Sequence, residues 1–356
     1  MRRVPCRARQ TGTGRDRLDY NRMTGSIRYD EYDEGEMKAA LNTTGISPLV
    51  SVIIPAYQAT PYIAGTLDSV LAQTFSDYEI ILVNDGSPDT EQLERVLEPY
   101  RKRIQYFVQE NRGQAGARNT GIRVSRGAFL AFLDNDDQWE PGFLSFQLAA
   151  MQADPELAVH YADAIIFGDA AFRGRTCMEF SPSKGEATLH RLITRECTVL
   201  NCAALSRREA VLRAGMFDES YRYGEDIDLW LRIVHQGGRI GYQRQVVARW
   251  RRRPDSISAN SAGMIEGFIR VLAAFRQSSD LTPLDVELLN RQIDAEKAHL
   301  NLLYGKQALQ NGDVTVARRR LQEANAYFRR PKIGVSLFLL RVAPKLFLRS
   351  YRRLAN

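Results

Sequence analysis

Three aspartates that follow one apolar segment are the residues of this chain best suited to chemistry. Segment 129–133 reads Phe-Leu-Ala-Phe-Leu, which predicts a buried strand, and Asp134, Asp136 and Asp137 come directly after it. Carboxylates placed this closely repel one another unless a cation or hydrogen-bond donors compensate their charge. A divalent metal with hard oxygen ligands explains the cluster most economically. The alternative is an acidic turn that caps the next helix, since aspartate also favours turns and caps.

A fourth aspartate stands in the equivalent place after another predicted strand. Asp85 follows the apolar segment 79–83 and begins an Asp-Gly turn. In open parallel sheets, ligands bind beyond the carboxyl ends of the strands, near the point where the strand order reverses. Asp85 and the aspartate cluster are therefore both expected at that edge. The alternative for Asp85 is a turn carboxylate that only satisfies local amides.

These aspartates must be positioned by an alternation of strands and helices in the first half of the chain. Strands are predicted at 49–55, 79–83, 104–108 and 129–133, with helices between them at 62–72, 91–98 and 115–125. Such alternation indicates βαβ units and a parallel sheet with helices on both faces. Beyond residue 150 we predict strands at 157–161 and 164–167, a loop-rich segment 170–190, a short helix at 207–214 and a buried helix at 225–235.

The composition is that of a globular protein with a basic charge. The chain has 356 residues and a formal net charge of +7, which suits an anionic ligand, nucleic acid or an acidic membrane surface. The arginines concentrate at the termini without alternating aromatic residues, so nucleic acid is not an expected partner. The cysteines lack zinc-type spacing and no secretory signal precedes them, which predicts reduced thiols and a cytoplasmic location. They are Cys6, Cys177, Cys197 and Cys202.

The chain divides into three parts by composition. Residues 1–48 are polar and poor in periodic apolar residues, which predicts a disordered tail. Residues 49–258 hold the alternating strands and helices. Residues 259–356 form a helical extension, with helices near 262–277, 283–310 and 313–328 and a turn at Asn311-Gly312-Asp313.

The end of the chain, 333–354, mixes apolar residues with five basic residues and contains no acid. Arg341, Pro344 and Lys345 interrupt it too early for a membrane-spanning helix of about 20 apolar residues. The pattern predicts a basic amphipathic helix that lies on an anionic membrane surface, peripherally on the inner face of the cell membrane. The alternative is an ordinary helix that packs on the domain and exposes its basic face to water.

Four motifs follow one another along the chain: Val52-Ile-Ile-Pro-Ala-Tyr57, Val83-Asn-Asp85-Gly-Ser87, Asn111-Arg-Gly-Gln-Ala-Gly-Ala-Arg118-Asn119 leading into the aspartate cluster, and Tyr223-Gly-Glu225-Asp226-Ile-Asp228-Leu-Trp230-Leu-Arg232. In this order they resemble the motifs of the family 2 inverting glycosyltransferases, which have the GT-A fold. The resemblance covers about residues 49–258, and the combination is specific although each motif alone is weak. It implies an α/β fold: a GT-A, Rossmann-like, mostly parallel sheet with helices on both faces, followed by the C-terminal helical extension.

The resemblance implies a nucleotide-sugar site around Asp85. This carboxylate would accept hydrogen bonds from the base or ribose, most often of a uridine nucleotide, and Pro55, Ala56 and Tyr57 would form a wall beside the base. Arg118 lies on a helix whose N-terminus could face the phosphates through free amides. The alternatives are simple packing for Tyr57 and a solvated helix arginine for Arg118.

The resemblance also implies a metal site and a catalytic base. Asp134 and Asp136 match the Asp-x-Asp element, in which Asp136 coordinates Mg²⁺ or Mn²⁺ and Asp134 contacts the ribose or the metal's water shell. Asp137 would cap the next helix or support this shell. Asp226 would take the proton from an acceptor hydroxyl as that oxygen attacks the anomeric carbon with inversion. The alternative for Asp226 is an acid that stabilises a helix N-terminus.

One residue departs from the family pattern. Many relatives carry histidine where this chain has Arg253, in Trp250-Arg-Arg-Arg253-Pro. Arginine cannot ligate a metal, but it can pair with a diphosphate oxygen. Either the metal has one protein ligand fewer, or Arg253 supplies part of the charge neutralisation.

The function expected from these features is transfer of a sugar from a nucleoside-diphosphate sugar, such as a UDP-sugar, to a hydroxyl acceptor in polysaccharide or glycan synthesis. The expected partners are that donor, a glycan or lipid-linked acceptor and an anionic membrane surface. Two alternatives are a catalytically silent nucleotide-sugar-binding module at the membrane and a basic nucleic-acid-binding protein. The presence of Asp85, Asp134, Asp136 and Asp226 together favours the enzyme.

Overall fold

One twisted sheet forms the centre of the computed structural model, which describes residues 27–28, 47–172, 174–277 and 280–355. The predicted disordered tail 1–48 falls almost wholly outside these residues. The described strands number nine: β1 (Ile27–Arg28), β2 (Val50–Ala56), β3 (Tyr78–Asp85), β4 (Gln105–Gln109), β5 (Phe129–Phe132), β6 (Gln138–Trp139), β7 (Leu157–Phe167), β8 (Ala204–Arg207) and β9 (Arg239–Arg251). Their order in the sheet is β1-β4-β3-β2-β5-β8-β7-β9-β6.

Thirteen α-helices accompany the sheet in the described residues. The first eight are α1 (Ile63–Leu71), α2 (Thr90–Leu97), α3 (Gly113–Val124), α4 (Phe143–Ala153), α5 (Cys177–Phe180), α6 (Leu189–Ile193), α7 (Arg208–Arg213) and α8 (Glu225–His235). The last five are α9 (Ser261–Phe275), α10 (Pro283–Asn311), α11 (Val314–Phe328), α12 (Pro331–Val342) and α13 (Pro344–Ala355). The predicted α/β fold with a helical C-terminal extension is confirmed.

The sheet is buried on both faces, because its central strand sends alternate side chains into two separate cores. Val52 and Ile54 of β2 belong to one core and Ile53 to the other. Helices α3 and α8 contribute to the core that contains Ile53, while α1 and α4 contribute to the opposite one. Continuous apolar strands such as β2 are typical of parallel sheets covered by helices.

The reversal of strand order next to β2 creates the crevice in which a ligand is expected. From β2 the chain passes outward to β3 and then β4, and it returns on the other side of β2 as β5, all in parallel. Helices α1 and α4 therefore lie on one face and α3 on the other near this switch point. The carboxyl ends of β3, β2 and β5 lie side by side there, as the sequence predicted.

The second half of the sheet departs from the prediction in several strands: β6, β8 and β9 were not predicted, and the two strands predicted at 157–161 and 164–167 are one. β7 is continuous from Leu157 to Phe167, so the expectation of two strands separated near residue 162 was wrong. The carboxylate of Asp163 accepts hydrogen bonds from the amides of Ala164 (2.8 Å) and Met178 (3.1 Å), which allows this polar residue to lie buried within the strand. β8 is antiparallel to β5 and β7, and β6 is antiparallel to β9; the other pairs are parallel.

The C-terminal helices pack as a hairpin on the side of α8. Helix α10 starts with a capping box in which Thr282 and Asp285 satisfy each other's amides, and it ends at Gly312 in the left-handed conformation (φ 84°). The predicted turn at 311–313 is confirmed. Segment 333–354 contains two helices rather than one, because Pro344 begins a new helix after Ala343. Within the described residues, every helix is too short or too polar to cross a membrane.

Candidate active site

Asp85 is the last residue of β3 and lies almost completely buried at the switch point. One of its oxygens, Oδ1, accepts hydrogen bonds from Gln109 Nε2 (2.7 Å) and from the backbone amide of Arg112 (2.8 Å). Burial raises the pKa of Asp85 above its usual range, and these hydrogen bonds oppose the shift. The turn after it requires glycine: Gly86 has a φ of 61°, and a Cβ there would lie 2.7 Å from the amide nitrogen of Asn111.

Gln109 is a site residue that the sequence analysis missed. It is the last residue of β4 and pairs in register with Asp85 on the adjacent strand. Because its amide nitrogen donates to Asp85, its buried carbonyl oxygen Oε1 has no hydrogen-bond partner among the described residues. A buried acceptor without a partner is costly unless a ligand or water supplies a donor. Only the pairing of β3 with β4 could have revealed it.

The end of β2 forms the wall opposite Asp85. Pro55 and Ala56 are buried, whereas Tyr57 exposes 45% of its surface beyond the strand end. The side-chain amide of Asn135 donates to the carbonyl of Pro55 (3.2 Å), which ties this wall to the loop that carries the aspartate cluster. The amide of Gln58 donates to Ser87 Oγ (2.7 Å), which ties the same wall to the turn after β3.

The three clustered aspartates have distinct environments. Asp134 accepts hydrogen bonds at Oδ1 from Gln114 and Arg118, each at 2.7 Å. Asp137 is fully buried and accepts the backbone amide of Arg251 at 2.7 Å. It does not cap α4, whose N-cap is Gly142, and its support of a metal's shell stays a prediction. Burial, with the nearby charges of Asp134 and Asp136, raises the pKa of Asp137 well above its usual range.

Asp136 forms an ion pair with the arginine that departs from the family pattern. Nε of Arg253 lies 2.9 Å from Asp136 Oδ2, and its NH1 lies 3.0 Å from Asp255. The guanidinium also lies over the ring of Tyr62, 4.6 Å from the centroid. Burial and the charge of Asp134 raise the pKa of Asp136, while Arg253 opposes this shift. Arg253 therefore supplies positive charge to the aspartate cluster without any bound cation.

Arg118 connects the aspartate cluster to the helix that holds the predicted base. Its side chain is 2% exposed, with NH2 2.7 Å from Asp134 Oδ1 and NH1 2.7 Å from Glu225 Oε1. The close contact between α3 and β2 fixes the position of this arginine, since a Cβ on Gly121 would lie only 2.4 Å from a methyl carbon of Ile53. The alternative of a solvated helix arginine is excluded. Whether Arg118 also reaches donor phosphates stays a prediction.

Asp226 lies at the first turn of α8, next to Glu225. Helix α8 begins at Glu225 after Gly224, which has a φ of 82°, and Asp226 Oδ1 accepts the amide of Ile227 at 2.8 Å. Burial raises the pKa of Glu225 to about 7, with the charge of Asp226 as a further cause. Burial also raises the pKa of Asp226, and the charge of Arg118 opposes this shift. A raised pKa brings a carboxylate closer to the range in which general bases work. Trp230 of this helix packs in the core.

The residues at the aspartate cluster fit a divalent cation that shares its ligands with a substrate. Mg²⁺ is commonly bound by one or two carboxylates together with substrate phosphates. The hydrogen bonds from described residues use Oδ1 of Asp134 and Oδ2 of Asp136, so the second oxygen of each carboxylate remains for other ligands. No group of three or more His, Cys, Asp or Glu side chains in the described residues is arranged to hold a metal alone. A cation here would depend on oxygens from the donor.

The structure brings most of the predicted residues to one edge of the sheet. Asp85, the end of β2 and the aspartate cluster lie at neighbouring strand ends, and Arg118 links the cluster to Glu225, the residue before Asp226. Besides Gln109, the sequence analysis missed four residues that contact this site: Tyr62, Gln114, Glu225 as an ion-pair partner, and Arg251. Cys177, Cys197 and Cys202 are free thiols, and Cys6 lies outside the described residues.

Comparison with known proteins identifies relatives of the strand-and-helix domain. Residues 51–213 match the family model described as glycosyl transferase family 2. The chain is 30% identical over 217 residues to the Escherichia coli UDP-Glc:alpha-D-GlcNAc-diphosphoundecaprenol beta-1,3-glucosyltransferase WfgD, covering 60% of this chain and 80% of WfgD. It is 32% identical over 192 residues to the uncharacterized glycosyltransferase RT0329 of Rickettsia typhi, covering 53% of this chain. The chain spans only 59% of the length of that relative.

Two solved structures share the fold. Residues 1–349 of Staphylococcus aureus TarS in complex with UDP superpose with a TM-score of 0.57 at 20% identity, covering 85% of this chain and 90% of TarS 1–349. The mannosyltransferase PcManGT of Pyrobaculum calidifontis in complex with GDP-Man and Mn²⁺ gives a TM-score of 0.55 at 20% identity, covering 86% of this chain and 84% of PcManGT. The predicted GT-A fold is thereby confirmed.

The position of Arg118 generates a prediction about stability. Arg118→Met should lower the free energy of unfolding by about 3–5 kcal/mol, because it leaves the buried Glu225 and the partly exposed Asp134 without a compensating charge. The measurement is urea unfolding. Arg112→Met is the matched control, since Arg112 pairs with Glu219 at a partly exposed position (2.9 Å) and should contribute about 0.2–1 kcal/mol.

A second variant keeps this prediction testable if Arg118→Met fails to fold. Adding Glu225→Gln to Arg118→Met removes one of the two carboxylate charges that have lost their partner, and it should restore part of the lost stability. Equal losses in Arg118→Met and Arg112→Met would contradict the role assigned to Arg118.

Proposed function

This chain belongs to glycosyltransferase family 2, and from that premise we propose that it transfers a sugar from a UDP-sugar to a hydroxyl acceptor with inversion. The observation that carries the proposal is the convergence of Asp85, Asp134 and Asp136 at one sheet edge, with Arg118 joining Asp134 to Glu225, the residue before Asp226. Donor recognition, charge compensation and a proton acceptor are the three parts that such a transfer needs. Each of them has a residue in this arrangement.

The donor's base is expected between the β2 wall and Asp85. Uracil presents an N–H donor flanked by two carbonyl acceptors, and Asp85 with Gln109 presents buried acceptor oxygens at the strand ends. A buried acceptor that gains a donor from the ligand favours a base with an N–H at that edge. Cytosine lacks this ring N–H and has an acceptor nitrogen in its place, so an acceptor oxygen aimed at that ring position would meet a lone pair instead of a donor. The exposed ring of Tyr57 is available to cover the base.

The donor's diphosphate is expected beside Asp134 and Asp136. We propose that Asp136, with Asp134, holds Mg²⁺ or Mn²⁺, and the GT-A protein PcManGT in complex with GDP-Man and Mn²⁺ supports metal use at such a site. When bound, this cation would neutralise charge on the departing nucleoside diphosphate. Arg253 lies within ion-pair distance of Asp136 and would pair with a diphosphate oxygen from the same side. The ion pair with Arg118 would keep the Asp134 carboxylate in position for the cation.

Asp226 is proposed as the general base. It would accept the proton of the acceptor hydroxyl while that oxygen forms a bond to the anomeric carbon, and the bond from this carbon to the diphosphate oxygen breaks on the opposite face. Inversion follows from this opposite-face attack. Glu225 is held by Arg118 and would fix the start of α8, so that Asp226 keeps its position. Because burial raises the pKa of Asp226, turnover should rise with pH until this carboxyl is deprotonated.

The acceptor and its location follow from the relatives and the C-terminal helices. WfgD is named for transfer to alpha-D-GlcNAc-diphosphoundecaprenol, a lipid-linked acceptor. By analogy we propose a glycan or lipid-linked acceptor in cell-surface polysaccharide synthesis, with the protein in the cytoplasm and peripheral to the inner face of the membrane. The loops around α5 and α6 are the part of the structure most able to select the acceptor.

The donor assignment predicts selective binding of UDP. In calorimetric titrations, UDP should bind more tightly than CMP or GDP, and Asp85→Ala should weaken UDP binding by about 10–150-fold, the loss expected for a charge-assisted hydrogen bond. Asp77→Ala is the control, since this exposed aspartate precedes the other end of β3. Equal affinities for UDP and CMP, or an unchanged UDP affinity in Asp85→Ala, would exclude the assignment.

The charge compensation at Asp136 predicts a cation requirement. Turnover of the donor found in a nucleotide-sugar screen should stop on exhaustive chelation and return with Mg²⁺ or Mn²⁺. Arg253→Ala should weaken UDP binding more than uridine binding, because only UDP carries the diphosphate. Arg252→Ala is the adjacent control, whose guanidinium lies over Phe172 instead. Full turnover after chelation would refute the metal, and equal losses for UDP and uridine would refute the role of Arg253.

The assignment of Asp226 predicts a loss of turnover without a loss of donor affinity. Asp226→Asn should lower transfer by roughly 10²–10⁴-fold, the usual contribution of a general base, with UDP affinity unchanged. Asp228→Asn on the same helix is the control, because Asp228 pairs with Arg232 (2.9 Å) and should affect the melting temperature rather than turnover per folded molecule. Near-normal turnover in folded Asp226→Asn would remove Asp226 from the mechanism.

A further inference from the structure

The outward side of the last two helices exposes a row of large apolar side chains. Val335, Phe338, Val342 and Leu346 expose 59%, 62%, 58% and 68% of their surfaces. The described part of the chain has ten exposed large apolar residues. Four of the ten are these residues, which lie within twelve consecutive positions. Val335, Phe338 and Val342 follow one face of α12, and Leu346 is an exposed apolar residue in the first turn of α13, four residues after Val342. Contiguous exposed apolar surface marks interaction sites.

The opposite side of these helices is already occupied by the protein. Ile333 and Leu340 are buried against α10 and α11, and Phe347, Leu348 and Tyr351 pack partly against the same cluster. Helix α12 is therefore apolar on two sides, of which the protein covers only one. A helix that is apolar all round needs a second apolar environment on its free side.

The charges around the apolar row have one sign. Between residues 331 and 355 the chain has six basic residues and no acidic residue. All six are exposed: Lys332, Arg341, Lys345, Arg349, Arg352 and Arg353. Apolar side chains with basic residues beside them suit the interface of an anionic bilayer, in which the apolar groups enter the acyl region and the cations meet the headgroups.

We propose that this C-terminal surface, formed by Val335, Phe338, Val342, Leu346 and the six basic residues, binds an anionic lipid bilayer. The surface lies flat on the membrane, since neither helix is long enough to cross it. A second copy of this chain is disfavoured as the occupant, because pairing the surface with itself would bring six positive charges against six. The binding does not depend on the sugar-transfer reaction proposed above.

The test is flotation of the full chain with vesicles. Binding is expected to vesicles of phosphatidylcholine with phosphatidylglycerol, to be much weaker with phosphatidylcholine alone, and to decrease as salt is added. The double variant Phe338→Ser with Leu346→Ser should weaken binding by about tenfold or more. The double variant Lys345→Gln with Arg349→Gln should weaken it by about fivefold for each charge removed.

Matched controls separate this surface from general hydrophobicity and charge. Leu284→Ser removes an apolar side chain that is 74% exposed at the start of α10, and it should leave vesicle binding unchanged. Arg95→Gln with Arg291→Gln removes the same net charge at exposed positions elsewhere and should have a much smaller effect. Melting temperatures and UDP affinities of all variants should match the wild type, because these residues lie outside the donor site.

Two results would overturn the proposal: failure of the wild-type chain to bind the anionic vesicles, or equal binding by the surface variants and their controls. Light scattering tests the alternative occupant. A wild-type dimer that becomes a monomer in Phe338→Ser with Leu346→Ser, while vesicle binding stays unchanged, would assign the surface to a second copy. Loss of UDP binding in the wild type with normal vesicle binding would refute the proposed function and leave this inference intact.

Discussion

The buried guanidinium of Arg118 is the interaction on which the rest of the site depends. It lies between Asp134 at the end of β5 and Glu225 at the start of α8, two segments that are far apart in the sequence. A buried guanidinium is costly unless both carboxylates pair with it, and each carboxylate loses its compensating charge if the guanidinium is removed. The loop after β5 and the start of α8 are therefore held in one fixed relation before any ligand binds.

This constraint explains the local backbone around it. Arg118 can lie in the interior only because Gly121 lets α3 approach β2 closely, and Glu225 can face it only because α8 starts at Glu225. Gly224 reverses the chain immediately before that start with a positive φ, a conformation that most other residues adopt at a cost. The stability of the fold and the position of the base thus rest on the same few contacts.

The sequence was sufficient for the features that depend on local pattern. The apolar strands with aspartates at their ends, the bounds of the helix Glu225–His235 and the turn at Gly312 could be read directly, because periodicity and glycine or proline positions determine them. The contacts of Arg118 and Gln109 could not, since they join segments whose proximity only strand order and helix packing decide. The continuity of β7 depended on amides that satisfy Asp163, which likewise come partly from a distant segment.

Charge at the aspartate cluster also bears on how Arg253 and a cation can coexist. In the protein alone Arg118 faces Asp134, Glu225 and Asp226, and Arg253 faces Asp136 and Asp255, so the two cations offset only part of the negative charge. A diphosphate adds at least two further negative charges and would leave the site strongly negative in a partly buried crevice. Arg253 can compensate one of these charges, but its guanidinium group also pairs with Asp136. In the proposed reaction a divalent cation that arrives with the diphosphate would restore the balance, so Arg253 and the cation would act as complementary sources of charge rather than as substitutes.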